Sequence, residues 1–214
     1  MTIYFVPGLA NDKRIFKNLA EELKEHKLVF LEHLEILNYE ETLIQYAARL
    51  INHHKFFDVD SVIIGMSLGG LIAIEMSKIL HFKKIFLIST VKHKSEFPLI
   101  IRLAFKLGIY LPPRLIKSTI RPISLLFKAT NKAGSEYLSK IINDSNEEHM
   151  IWAQKAVVKW DNNLIPDNYI HIHGTNDEIF PIKYVKPSHK IEKGTHYMIM
   201  DRAKEISDII KNNI

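Results

Sequence analysis

No cysteine occurs among the 214 residues, and that one absence excludes disulfide staples, a thiol nucleophile and cysteine-ligated zinc. No stretch reaches the roughly 18 uninterrupted apolar residues that a membrane-spanning helix needs. Met1 to Gly8 shows neither a basic leader nor an apolar run long enough for a signal peptide, so the expectation is a soluble, cytoplasmic protein. Internal repeats and low-complexity segments are also missing. Acidic residues are scarce in one place. Residues 91–130 hold Lys92, Lys94, Arg102, Lys106, Arg114, Lys117, Arg121 and Lys128 against Glu96 alone, so this segment carries +7 and the rest of the chain −2 of the net +5. The basic character belongs to one segment and not to the body. Because no aromatic stacking pattern accompanies it, nucleic acid is not an expected partner.

A chain with 47% hydrophobic residues at this length can bury a full core. Its apolar residues alternate between two periods. Ile3 to Val6, Leu28 to Leu31, Ser61 to Ile64, Lys84 to Ser89, Tyr169 to His173 and His189 to Glu192 read as six short strands, most of them nearly all apolar. Between them Asp12 to His26, Glu40 to Ile51, the stretch through Leu80, Glu147 to Trp160 and a closing segment from Asp201 have helical spacing, with a further helical piece near Ile182 to Val185. Buried strands alternating with helices predict an α/β fold with a six-stranded, mostly parallel sheet covered on both faces. The alternation breaks over residues 91–146, which hold Pro98, Pro112, Pro113 and Pro122 among apolar, basic and short helical pieces. We read 1–90 with 147–214 as the core and 91–146 as a helical cap inserted into it.

The most informative stretch is Gly65-Met66-Ser67-Leu68-Gly69-Gly70. Placed between an apolar strand and a helix, Gly-x-Ser-x-Gly matches a nucleophile elbow, a strained turn that lifts the serine hydroxyl above the sheet. Side chains at positions 65 and 69 would collide where strand and helix approach, and Gly70 lets the helix start pack closely. Standing alone, the pentapeptide fits a helix-capping serine equally well. A serine hydroxyl needs a base, and the base needs a group to orient it. His173-Gly174-Thr175-Asn176-Asp177 follows the fifth strand and Lys193-Gly194-Thr195-His196-Tyr197 follows the sixth. Separately, Asp177 fits a turn-forming residue and His196 an ordinary loop histidine. Together with Ser67, each at the C-terminal end of a parallel strand, they share the rim where open α/β sheets bind ligands. The backbone N–H groups of Leu68 and of Leu9, in Pro7-Gly8-Leu9-Ala10, are the candidate oxyanion donors.

These motifs resemble the α/β-hydrolase superfamily over essentially the whole chain, through Val6-Pro7-Gly8-Leu9, the Ser67 elbow, His173 to Pro181 and Gly194-Thr195-His196-Tyr197. The resemblance implies a triad of Ser67, Asp177 and His196, with Leu9 and Leu68 as oxyanion hole, and a small version of the fold that starts at its usual third strand. Pro7-Gly8 stands where His-Gly is common, and the Gly-rich form of some esterases is absent. The expected activity is cofactor-independent hydrolysis of a carboxylic ester of a small hydrophobic substrate. Thioester or lactone hydrolysis, acyl transfer and carbon–carbon lysis would use the same triad, and a catalytically silent binding module is the reading of another class.

Three smaller features have competing readings. His171 and His173 share one face of a strand as two metal ligands would, but no third ligand is evident and no metal is expected. Glu96, after the fourth strand, stands where some relatives place the triad acid. His53 and His54 suit the positive charge favoured at a helix C-terminus. In the inserted segment, Arg102 and Lys106 lie four apart beside an apolar block that runs from Phe97 to Leu111. That block suits an acyl pocket or a packed helical layer. It also suits contact with an anionic membrane, although the four prolines argue against one long interfacial helix. No feature of the sequence decides the oligomeric state.

Overall fold

The apolar runs Thr2–Val6 (β1), Val62–Met66 (β3) and Lys84–Ile88 (β4) are buried almost throughout, which commits them to the centre of a sheet covered on both sides. In the computed structural model, which describes residues 1–54, 60–118 and 132–214, they are joined by Lys27–Phe30 (β2), Tyr169–Gly174 (β5) and His189–Ile191 (β6). The order is β2-β1-β3-β4-β5-β6 and every pairing is parallel. The expected sheet is therefore present, and it is wholly rather than mostly parallel.

Successive strand residues feed opposite cores, as the two-residue period requires. Ile3, Phe5, Val62, Ile64 and Phe86 face one layer. It is closed by the 3-10 turn Lys13–Phe16, the helix Lys17–Glu22 (α1) and the C-terminal helices Met198–Asp201 (α8) and Ala203–Lys211 (α9). Tyr4, Val6, Ile63, Ile85 and Leu87 face the other, under Leu43–His54 (α2), Leu68–Ser77 (α3) and most of Glu147–Lys159 (α7). Helix α3 lies so deep that its glutamate, Glu75, is buried. Lys78 Nζ at 2.6 Å and Trp160 Nε1 at 2.8 Å satisfy that carboxylate.

Two helix expectations change. The run from Asp12 to His26 is a 3-10 turn, capped by the Asp12 side chain on Arg14 N, followed by a helix that ends at Glu22. Ile182 to Val185 forms a turn closed by Tyr184 N on Pro181 O, and Pro187 follows too soon for a helix to extend. Between β4 and α7 the chain forms a 3-10 turn Lys94–Glu96, the helix Leu99–Lys106 (α4), a helical stretch at 113–118 (α5) and Lys132–Asp144 (α6). Pro122, Arg121 and Lys128 lie outside the described residues. No helix among the described residues is long and apolar enough to cross a membrane.

Candidate active site

Ser67 is the first residue after β3, and it adopts φ 53° and ψ −120°. That is a conformation non-glycine residues rarely hold, at a cost of about 1–3 kcal/mol. Close packing imposes it. A Cβ on Gly65 would lie 2.3 Å from Gly69 O, and one on Gly69 would lie 2.1 Å from Val6 O. The elbow is anchored from β4 as well, by Ser67 N on Ile88 O at 3.0 Å and by Thr90 Oγ1 on Ser67 O at 2.6 Å. Strain is concentrated along this rim. All four non-glycine residues with positive φ among the described residues, Ala10, Ser67, Ser89 and Lys193, follow the C-terminal ends of strands.

The sheet brings the three candidate residues together. His196 Nε2 lies 3.1 Å from Ser67 Oγ, and its Nδ1 donates to Asp177 at 2.9 Å (Oδ2) and 3.1 Å (Oδ1). That bond fixes the tautomer in which Nε2 accepts from the serine hydroxyl. Asp177 Oδ1 also accepts the N–H groups of Ile179 and Phe180 at 2.9 and 2.8 Å. Burial alone would raise the Asp177 pKa. The charge and hydrogen bond of His196, with support from His173 and the Phe180 N–H, outweigh it and hold the carboxyl below its ordinary range. The loops carrying Asp177 and His196 are laced to each other. Asn176 N donates to Gly194 O at 2.9 Å and Lys193 N to Thr175 Oγ1 at 2.8 Å. A Cβ on Gly174 would lie 2.1 Å from Gly194 O, so a glycine is required where these loops touch.

The loop after β1 is built around Asn11. Its Oδ1 accepts the Gly8 N–H at 2.8 Å, while its Nδ2 donates to Leu9 O at 3.3 Å. Gly8 N–H is thereby occupied, whereas the N–H groups of Leu9 and Leu68 have no acceptor among the described residues. His33 braces the loop from outside. Its Nε2 is 3.1 Å from both Gly8 O and Asn11 O, and its ring packs 3.9 Å from that of His149.

Over Ser67 lies a cavity of about 350 Å³. Apart from Ser67, His196, Tyr197 and Gln154, its lining is apolar: Leu9, Leu68 and Leu71 from the core, Ile101 and Ala104 of α4, and Val157 of α7 among them. Gln154 does not add a free polar group, because it accepts Leu111 N at 2.7 Å and donates to Leu111 O at 2.9 Å.

The competing readings resolve by contact. Glu96 is buried against Lys92, whose Nζ lies at 2.5 Å and N at 2.8 Å, and it bonds to neither His196 nor Ser67. His171 and His173 each donate Nε2–H to a carbonyl, Thr90 O at 3.1 Å and Phe180 O at 2.8 Å. Burial lowers both pKa values, that of His171 to about 3, and His173 Nε2 also lies 3.4 Å from Asp177 Oδ2. No three potential metal ligands cluster among the described residues. His53 and His54 occupy the last turn of α2.

No protein-family model matches this sequence, and no curated protein does. Solved structures do. An esterase from Thermogutta terrifontis superposes with TM-score 0.76 at 18% identity, covering 99% of this chain and 88% of its own. A hydrolase from Pseudomonas aeruginosa gives 0.77 at 10%, with the same coverage of both chains. The chain has the α/β-hydrolase fold. An enol-lactonase from Burkholderia xenovorans shares this α/β-hydrolase architecture at TM-score 0.74 and 13% identity, over 99% of this chain and 90% of that one.

Nothing in the sequence marks His33, Asn11, Thr90 or Gln154 as supports of the site. Their partners are set by tertiary contact and leave no local pattern. The pairing of Gly174 with Gly194 was the one support with a signal, a glycine directly after each of two successive strands.

Proposed function

We propose that the protein is a serine hydrolase that cleaves a carboxylic ester of a small hydrophobic substrate through a Ser67–His196–Asp177 triad. The observation that carries this reading is the unbroken hydrogen-bond relay from Ser67 Oγ through His196 to a buried, ionised Asp177. Ser67 attacks the acyl carbon as His196 Nε2 takes its proton. Asp177 holds the imidazole in place and stabilises it when charged. The oxyanion that forms is met by the N–H groups of Leu9 and Leu68. The protonated His196 releases the alcohol, then activates a water that frees the acid from Ser67. We read residues 91–146 as a cap that, with α7, supplies an apolar wall for the acyl chain. Names of structural neighbours include both esterases and a lactonase, and a lactone would pass through the same steps.

A fluorophosphonate probe tests the assignment without knowledge of the substrate. One adduct on Ser67, abolished in His196→Ala, is the expected result. Ser67→Ala should remain folded and lose about 10⁴-fold or more in ester turnover. Near-full esterase activity in Ser67→Ala would overturn the triad. A panel of esters, thioesters and lactones then identifies the leaving group.

A further inference from the structure

Helix α4 has three faces. Ile101 and Ala104 turn inward to the Ser67 cavity. Leu99, Ile100 and Leu103 turn outward, as does Leu107 just past the helix end, with Ile100 76% and Leu107 72% exposed. Arg102 and Lys106 border that outer face and line a cleft with His93 and Lys94, in which Asp161 is the carboxylate. Among the described residues, Lys94, Arg102 and Lys106 form no ion pair, unlike Lys92, which meets Glu96, and Lys117, which meets Glu147. Ile109 and Leu111 line the cavity and are still about half exposed (54% and 48%), so its mouth opens beside this face.

From this arrangement we propose that the outer face of α4 docks on an anionic lipid surface. Large exposed apolar side chains flanked by unpaired cations are the signature of interfacial contact. Charge selects this occupant over a second copy of the chain, since a self-pairing would press two sets of unneutralised cations together. The prolines that prevent a long interfacial helix leave this eight-residue one intact, and the loop beyond it extends the apolar surface to the cavity mouth. Docking would set that mouth against a phase in which hydrophobic esters are concentrated. The inference stands apart from the serine chemistry and survives or fails without it.

Co-sedimentation with vesicles tests it, using ether-linked lipids so that no ester is cleaved. The protein is expected to bind phosphatidylcholine–phosphatidylglycerol vesicles, to release in high salt, and to bind phosphatidylcholine alone only weakly. Arg102→Gln/Lys106→Gln should weaken binding by about 30-fold, from about 1 kcal/mol per charge. Ile100→Ser/Leu107→Ser should weaken it by at least tenfold with an unchanged melting temperature. Lys83→Gln/Lys190→Gln removes equal charge from exposed sites elsewhere and should change little. No binding to anionic vesicles overturns the proposal. So does binding that ignores the apolar pair, or that falls equally in the control pair, because either would reduce it to diffuse attraction by a basic protein. A lipid-free dimer abolished by the apolar pair would assign the face to self-association instead.

Discussion

His33 touches no reacting atom in the proposed mechanism, yet its one N–H holds two carbonyls of the loop that carries Leu9. Small displacements of a catalytic donor are costly, since about 1 Å can reduce rate by a factor of about 100. His33→Ala is expected to lower kcat by about 10- to 100-fold while KM stays within about twofold, because the acyl cavity is untouched. His33→Gln, whose amide can donate to the same carbonyls, should recover part of the loss. Steady-state kinetics on the three proteins decides this. Equal effects on kcat and KM would make His33 a general support of the fold rather than a positioning residue. Ser67, Asp177 and His196 were legible from sequence because each sits in a short motif whose neighbours dictate a turn. His33 was not legible, because its role depends on a loop some 25 residues away and nothing in His-Leu-Glu announces it.

The strands were the most legible elements, each within about two residues of its expected ends, because burial on both faces writes an apolar run into the central ones that little else explains. Helices on the first layer were less so. Asp12 to His26 has helical spacing throughout, but capping by Asp12 starts a tighter turn and the chain closes at Leu23 N on Ala20 O. The pattern records which face is buried and not how the backbone is hydrogen-bonded. Helix α4 was legible as amphipathic, but not as three-faced. The division of its apolar residues between cavity and solvent depends on what packs against it. Its inward face gives a direct test of the cavity. Ala104→Phe should shrink the space over Ser67, so hydrolysis of an eight-carbon acyl ester falls about tenfold or more relative to acetate, at about 0.8 kcal/mol per methylene excluded. An unchanged chain-length preference, measured as the ratio of kcat/KM values, would place the acyl group elsewhere.

For the molecule as a whole, five histidines stand out. Burial, before any other cause, holds His33, His54, His149, His171 and His173 below the ordinary value of 6.5, and His171 at about 3. Unfolded, these imidazoles take protons near 6.5, whereas folded they do so only at lower pH. The unfolded chain therefore binds more protons in that window, and stability falls as pH drops below about 6.5. Asp177, with its lowered carboxyl, adds loss of the same sign only around and below 3.8. Glu41 and Asp201, raised by burial, act in the opposite sense near the carboxylate range. The decline between about pH 6.5 and 5 thus belongs to the histidines. Urea unfolding across that range should show it, and His171→Leu, though less stable at neutral pH, should show a shallower slope. A slope unchanged by that substitution would mean that His171 titrates as an ordinary exposed imidazole.

The strain at Ser67, Ala10, Ser89 and Lys193 has a bearing on engineering. Relaxing any of these backbones would release free energy into the fold, so variants ranked only by heat resistance are expected to accumulate at this rim, where, in the proposed mechanism, geometry serves chemistry rather than endurance. A screen for robust forms of this protein therefore has to score turnover alongside melting, or it will select against the turn that makes the serine useful.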